Sequence, residues 1–81
     1  MGMTRKREKV AVIGAGSWGT ALAMVLADNG HEVRIWAKRQ EQIDEINKNR
    51  TNKKYLPGIT LPENIIGYTS LKAVLEGIEV V

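Results

Sequence analysis

A doubly wound α/β fold built on a parallel sheet is what this sequence of 81 residues predicts. Three observations carry the prediction. Strand-like and helix-like stretches alternate along the chain. The first strand is apolar on both faces, as in sheets covered from both sides. A glycine-rich turn, Gly14-Ala15-Gly16-Ser17-Trp18-Gly19, joins that strand to the first helix.

Lys9–Ile13 is a short β-branched run that ends at Gly14, which suits a buried parallel strand. Ser17 to Asn29 follows at helical density. Its apolar side is read from Ala21, Met24 and Val25, flanked by Thr20 and Asp28 and extended by Leu22 and Leu26. Gly30 stands just past this helix, where a left-handed residue is wanted. His31–Ala37 alternates Val33 and Ile35 with Arg34 and Trp36, a second strand. Arg39–Asn47 reads as a more polar helix carrying Ile43 and Ile46 inward, and Asn49–Pro62 as loop punctuated by Pro57-Gly58 and Pro62. Ile65–Thr69 is a third strand. Ser70 is placed to cap a short helix through Glu76, and Ile78–Val81 begins a fourth strand. Such an order calls for right-handed crossovers, with the fourth strand beside the first.

Length allows one small domain, with a typical stability of about 4–12 kcal/mol for this size. Composition is that of an ordinary globular chain, 43% hydrophobic and 26% charged. There is no cysteine, which removes disulfides and cysteine-based metal sites and fits a reducing compartment. The longest purely apolar run, Ala21 to Ala27, falls far short of the roughly 20 residues a bilayer requires. The basic start lacks the apolar region of an export signal. All of the net charge of +3 sits in Arg5, Lys6, Arg7 and Lys9 against Glu8, and the rest of the chain is neutral. A basic tail beside a neutral body argues against nucleic-acid binding and describes residues 1–8 as a disordered basic lead.

The glycine turn is where chemistry enters. The pattern GxGxxG alone is weak; between an apolar strand and an apolar helix it points to a dinucleotide. Gly14 permits the tight turn out of the strand, Gly16 lets a pyrophosphate approach the backbone, and Gly19 allows close packing of the helix. Ala15 and Ser17 complete the turn, and the helix start presents unpaired N–H groups to phosphate. The fold is therefore expected to be Rossmann-type. Since Val80-Val81 stops in a strand that should be central, residues 9–81 are expected to be a partial NAD(P)-binding domain, truncated and without a substrate domain.

The end of the second strand sets cofactor preference. NAD-preferring domains place an acid there, and this chain reads Trp36-Ala37-Lys38-Arg39. Glu32 lies at the other end of the strand, ~13 Å away at 3.3 Å per residue. Two cations at a helix start oppose its dipole, so Lys38 and Arg39 are read as partners for a 2′-phosphate, against the alternative of two solvated charges. His31, at the strand's entry, is read as a surface or packing residue. Trp18 either packs on the cofactor or shields the turn. Lys48, Arg50, Lys53 and Lys54 form a basic run before Tyr55, read as a solvated loop, with a lip over phosphate as the sharper alternative.

Three stretches together, GAGSWGTALA (14–23), DNGHEVRIWAKR (28–39) and NKKYLPGITLP (52–62), resemble the bacterial NAD(P)-dependent glycerol-3-phosphate dehydrogenases. The resemblance implies an oxidoreductase of the cytoplasm, a homodimer, that reduces dihydroxyacetone phosphate to sn-glycerol 3-phosphate for phospholipid synthesis. It implies NADP or NAD as cofactor, with Ser17, Trp18, Lys38, Arg39 and Tyr55 in contact with it. The family's catalytic lysine and helical substrate domain have no counterpart among these residues, so none here is assigned a catalytic role. Two rivals remain: another hydroxyacid or ketoacid reductase, and a non-catalytic dinucleotide sensor on the same fold.

Overall fold

The computed structural model describes residues 8–77 and 79–80. Four parallel strands form one sheet in the order β3-β2-β1-β4, from β1 (Lys9–Ile13), β2 (Glu32–Trp36), β3 (Ile65–Tyr68) and β4 (Glu79–Val80). Between them run α1 (Ser17–Asp28), α2 (Gln40–Asp44), a π-helical segment Glu45–Asn49, and α3 (Leu71–Leu75). The fourth strand lies beside the first, Val10 opposite Glu79 and Ala11 opposite Val80. This is the expected doubly wound order. The outer residues expected in that strand, Ile78 and Val81, lie outside the described residues, as does the basic lead up to Arg7. Glu8 is held against β2: its N–H donates to His31 Nδ1 at 3.2 Å, and its carbonyl accepts from Glu32 at 2.9 Å.

Side-chain alternation along β2 assigns the two faces. Val33 and Ile35 are buried in the main core with Val12, Ala23, Ala27, Ile43, Ile46 and Ile65, under α1 and α2. Arg34 points to the opposite face, where its guanidinium donates to the carbonyls of Ala73 at 3.1 Å and Glu76 at 3.2 Å. A cation at the carboxyl end of α3 satisfies carbonyls that the helix leaves open. Ser70 opens the same helix as foreseen, its hydroxyl accepting from the Ala73 N–H at 3.2 Å.

Two helices differ from expectation. The inward residues of α1 are Thr20, Ala23 and Ala27, all small, flanked by Met24 and Leu26. Val25 is 56% exposed and Leu22 38%. The helix is apolar nearly all round, so periodicity could not single out a face; small side chains let it sit close on the sheet. Its end is a Schellman turn, with the Gly30 N–H on the Ala27 carbonyl at 2.9 Å, the His31 N–H on that of Leu26 at 3.2 Å, and Gly30 at φ 92°. The second helix starts one residue later than expected, at Gln40 after Arg39, and widens into a π turn that runs on to Asn49. Ile43 and Ile46 are buried there as expected. In the wider turn Asn47 faces β3, donating to the Gly67 carbonyl at 3.1 Å and accepting from its N–H at 2.7 Å. An amide side chain thus occupies backbone groups that an edge strand would leave open.

Candidate dinucleotide-binding groove

The turn leaving β1 is tied to the sheet by the Gly14 N–H, which donates to the Trp36 carbonyl at 2.9 Å. Gly14 adopts φ 114°, a backbone state that side-chain-bearing residues rarely reach. Gly19 is required for a different reason. A Cβ on it would lie 1.9 Å from the Gly14 carbonyl oxygen and 3.5 Å from Val12 Cγ1, so the turn and helix could not meet. At Gly16 a Cβ would meet nothing within 4 Å: the backbone there faces open space, as close approach by a phosphate requires.

Gly16 is also the N-cap of α1, without a side-chain cap and with no acid in the first turn. The first N–H groups of a twelve-residue helix are therefore left for an anion. Thr20 strengthens the start, its N–H and hydroxyl both donating to the Gly16 carbonyl, at 2.9 and 2.7 Å.

One groove brings together Gly14, Ala15, Gly16, Trp36, Ala37, Lys38, Arg39, Gln42 and Tyr55. Its floor is the carboxyl end of β1 and β2, where ligands of open parallel sheets bind. Lys38 and Arg39, both exposed, line it together with Gly16, the N-cap of α1. Ala37 is buried, and its N–H donates to the Tyr68 carbonyl at 3.1 Å. Ser17 reaches across to the Tyr55 carbonyl at 3.1 Å. Trp18 is the exception among the expected site residues. It is 88% exposed on the outer side of α1 beside Ala21, Leu22 and Val25, so it does not shield the turn.

The basic run separates by role. Arg50 is half-buried and left-handed at φ 59°, and its guanidinium donates to the carbonyls of Pro62 and Ile65. Lys54 lies 5.5 Å from the Tyr55 ring centre and lines, with Arg39 and Tyr55, a hollow adjoining the groove. Lys48 and Lys53 are exposed. His31 is at the far end of β2, bonded to Glu8.

Sequence reasoning passed over Asn52 and Gln42. Asn52 is 1% exposed; its amide donates to the Ala15 carbonyl at 3.0 Å and to Thr20 Oγ1 at 2.8 Å. Gln42 donates to the same carbonyl at 2.7 Å and to Asn52 Oδ1 at 3.2 Å. No periodic pattern marks a polar residue buried from a loop. The only available sign was that Asn52 opens the third resembling stretch.

The family model described as "NAD-dependent glycerol-3-phosphate dehydrogenase N-terminus" matches residues 9–81. A glycerol-3-phosphate dehydrogenase [NAD(P)+] from Geobacillus kaustophilus is 66% identical over 74 residues, which cover 91% of this chain and 22% of that protein. One of the same description from Bacillus cytotoxicus is 64% identical over 73 residues, covering 90% and 21%. The crystal structure of glycerol-3-phosphate dehydrogenase from Coxiella burnetii superposes with a TM-score of 0.82 at 46% identity, over 89% of this chain and 22% of that one. The Saccharomyces cerevisiae enzyme gives 0.83 at 35%, over 93% and 25%. The chain thus spans about a fifth of the length of the curated relatives it matches. By the match to residues 9–81, this chain belongs to the NAD-dependent glycerol-3-phosphate dehydrogenase family, of which it carries the amino-terminal segment.

Proposed function

We propose that this chain is the cofactor-binding part of an oxidoreductase that interconverts dihydroxyacetone phosphate and sn-glycerol 3-phosphate with NADP(H) or NAD(H). The observation that carries the reading is the groove, which joins an uncapped helix N-terminus and the open backbone of Gly16 to the paired cations Lys38 and Arg39. Gly14, Ala15, Gly16, Ser17 and Gly19 would form the pyrophosphate cradle, and Lys38, Arg39 and Tyr55 the adenosine end. The bound nicotinamide supplies the hydride chemistry. The protein's share, in these residues, is to hold and orient the dinucleotide.

Family likeness supports four further proposals: a phosphorylated three-carbon substrate, glycerophospholipid synthesis as the use of the product, the cytoplasm as compartment, and a homodimer. It also supports Trp18 as a cofactor contact, although its outward position in this structure makes it the weakest member of the set. Residues 1–8 as a basic lead and 9–81 as one part of a larger dinucleotide-binding domain belong to the same reading. Among the described residues, no helix is long and apolar enough to cross a membrane.

An assay for NADPH oxidation with dihydroxyacetone phosphate tests the reading, run on this chain alone and on the chain joined to the remaining length of a family member. Turnover by the joined protein and none by the chain alone is the expected result. A folded joined protein without turnover contradicts it.

A further inference from the structure

Asn52 is the one buried amide side chain among the described residues, and the eight residues that follow it, 53–60, are exposed or half-buried. Buried polar groups persist where they are bonded, and Asn52 is bonded on every side. Its side chain reaches the Ala15 carbonyl and Thr20, and accepts from Gln42. Its own carbonyl accepts from the Tyr55 N–H at 3.1 Å and the Leu56 N–H at 2.8 Å, which shapes the turn that carries Tyr55. Ser17 closes the ring from the helix start onto the Tyr55 carbonyl at 3.1 Å. Four elements therefore meet at one residue: the glycine turn, α1, α2 and the Tyr55 turn.

The Ala15 carbonyl gives this hub its consequence. In a trans peptide the C=O and the following N–H point in opposite directions. With the carbonyl fastened by two amide donors, at 2.7 Å from Gln42 and 3.0 Å from Asn52, the Gly16 N–H is turned away from them. Were this peptide free to rotate, a carbonyl oxygen could face the ligand and repel a phosphate. Donors fixed in place before the anion arrives cost no reorganisation on binding.

We propose that Asn52 is a positioning residue for dinucleotide binding: it locks the Ala15 peptide and the Tyr55 turn together so that both walls of the groove are formed before the ligand enters. This rests on the groove being a dinucleotide site. Asn52 acts at the part common to both cofactors, whereas Lys38 and Arg39 act at the 2′ position, and that difference makes the two roles separable.

The experiment compares wild type with Asn52→Ala and Asn52→Asp, the latter of like shape but without the amide donor, each in the chain joined to the remaining length of a family member. NADPH and NADH dissociation constants are measured by calorimetry at a temperature where circular dichroism shows each protein folded. Limited trypsin digestion follows cleavage after Lys53 and Lys54, inside the Tyr55 turn, against cleavage after Arg39 and Lys48 outside it. Both variants should lose about ten-fold in affinity for NADPH and NADH alike, the size of one well-made hydrogen bond. Cleavage after Lys53 and Lys54 should accelerate while that at Arg39 and Lys48 stays as in wild type.

Should neither Asn52 variant fold, Gln42→Met removes one donor from the same carbonyl at a half-buried position, with a loss of about three-fold expected for both cofactors. Folded Asn52 variants with unchanged affinities overturn the proposal and leave the cofactor reading standing. So does a loss confined to NADPH. Failure of the joined wild-type protein to bind either dinucleotide overturns the cofactor reading and this proposal with it.

Discussion

Lys38 and Arg39 line the groove just past β2, at the strand end that in NAD-preferring domains carries an acid, and on the proposed function they face the adenosine ribose. Charge-assisted contacts to phosphate contribute about 1.5–3 kcal/mol when well formed. Lys38→Ala with Arg39→Ala should therefore raise the NADPH dissociation constant by roughly ten-fold or more and leave that for NADH nearly unchanged. Calorimetric titration of both cofactors checks this, and equal losses would mean the cations only hold the helix start. An acceptor for the NADH 2′-OH is better introduced as Lys38→Asp than at Ala37, which is buried and would force a carboxylate out of water. At Gly19 the geometry allows no substitution. A Cβ placed 1.9 Å from a backbone oxygen must displace it. Gly19→Ala should cost about 3 kcal/mol or more, read by urea denaturation, and abolish cofactor binding.

Glu45 connects residue chemistry to an element. Its carboxylate accepts from the Lys53 N–H at 2.8 Å and the Thr51 hydroxyl at 2.7 Å, and the Lys53 bond foremost holds its pKa below the ordinary 4.5. A depressed folded pKa contributes stability that is fully present above the unfolded value and is lost as pH falls through the folded one. Glu45→Gln should melt below wild type at neutral pH, with the two curves converging as pH drops below 4.5. A gap that persists in acid would contradict this. Arg50, at the end of the π turn, combines a left-handed backbone with a half-buried clamp on Pro62 and Ile65. Arg50→Ala loses the clamp and keeps the strain, whereas Arg50→Gly loses the clamp and relieves it. Glycine should therefore be the milder change, by about 1 kcal/mol in denaturant unfolding.

These elements also show what a sequence discloses. β1 was readable to the residue because a β-branched run ends at a glycine, and the start of α3 because Ser70 caps it. The face of α1 was misread because large apolar residues lie on both sides, and the decisive feature was the smallness of Ala23 and Ala27. The glycine turn, and the position of the Lys38-Arg39 pair in the same groove, were legible from spacing. Asn52, Gln42 and Arg50 were not: their work is done through single bonds to distant backbone, and neither periodicity nor composition records such partners.

At the scale of the molecule, the outer side of α1 is unusual. Trp18 at 88% exposure, Leu22 and Val25 form an apolar stripe on a small domain, and such patches favour association. The chain alone should self-associate or be only marginally stable. Sedimentation velocity should show mass action toward larger species, reversed by Trp18→Ser with Leu22→Ser, which lie outside the core. A stable monomer with a high, sharp melt would contradict this. The central claim, that the groove between α1 and the β2 end takes a dinucleotide, has a more direct test. Amide NMR of these residues, isotope-labelled within the chain joined to the remaining length of a family member and titrated with NADPH, reports each backbone N–H separately. The claim predicts large shifts at Gly14, Gly16, Ser17, Gly19 and Lys38, with His31 and Glu32 at the opposite end unmoved. Shifts centred on His31 and Glu32, or none at saturating NADPH, would contradict it.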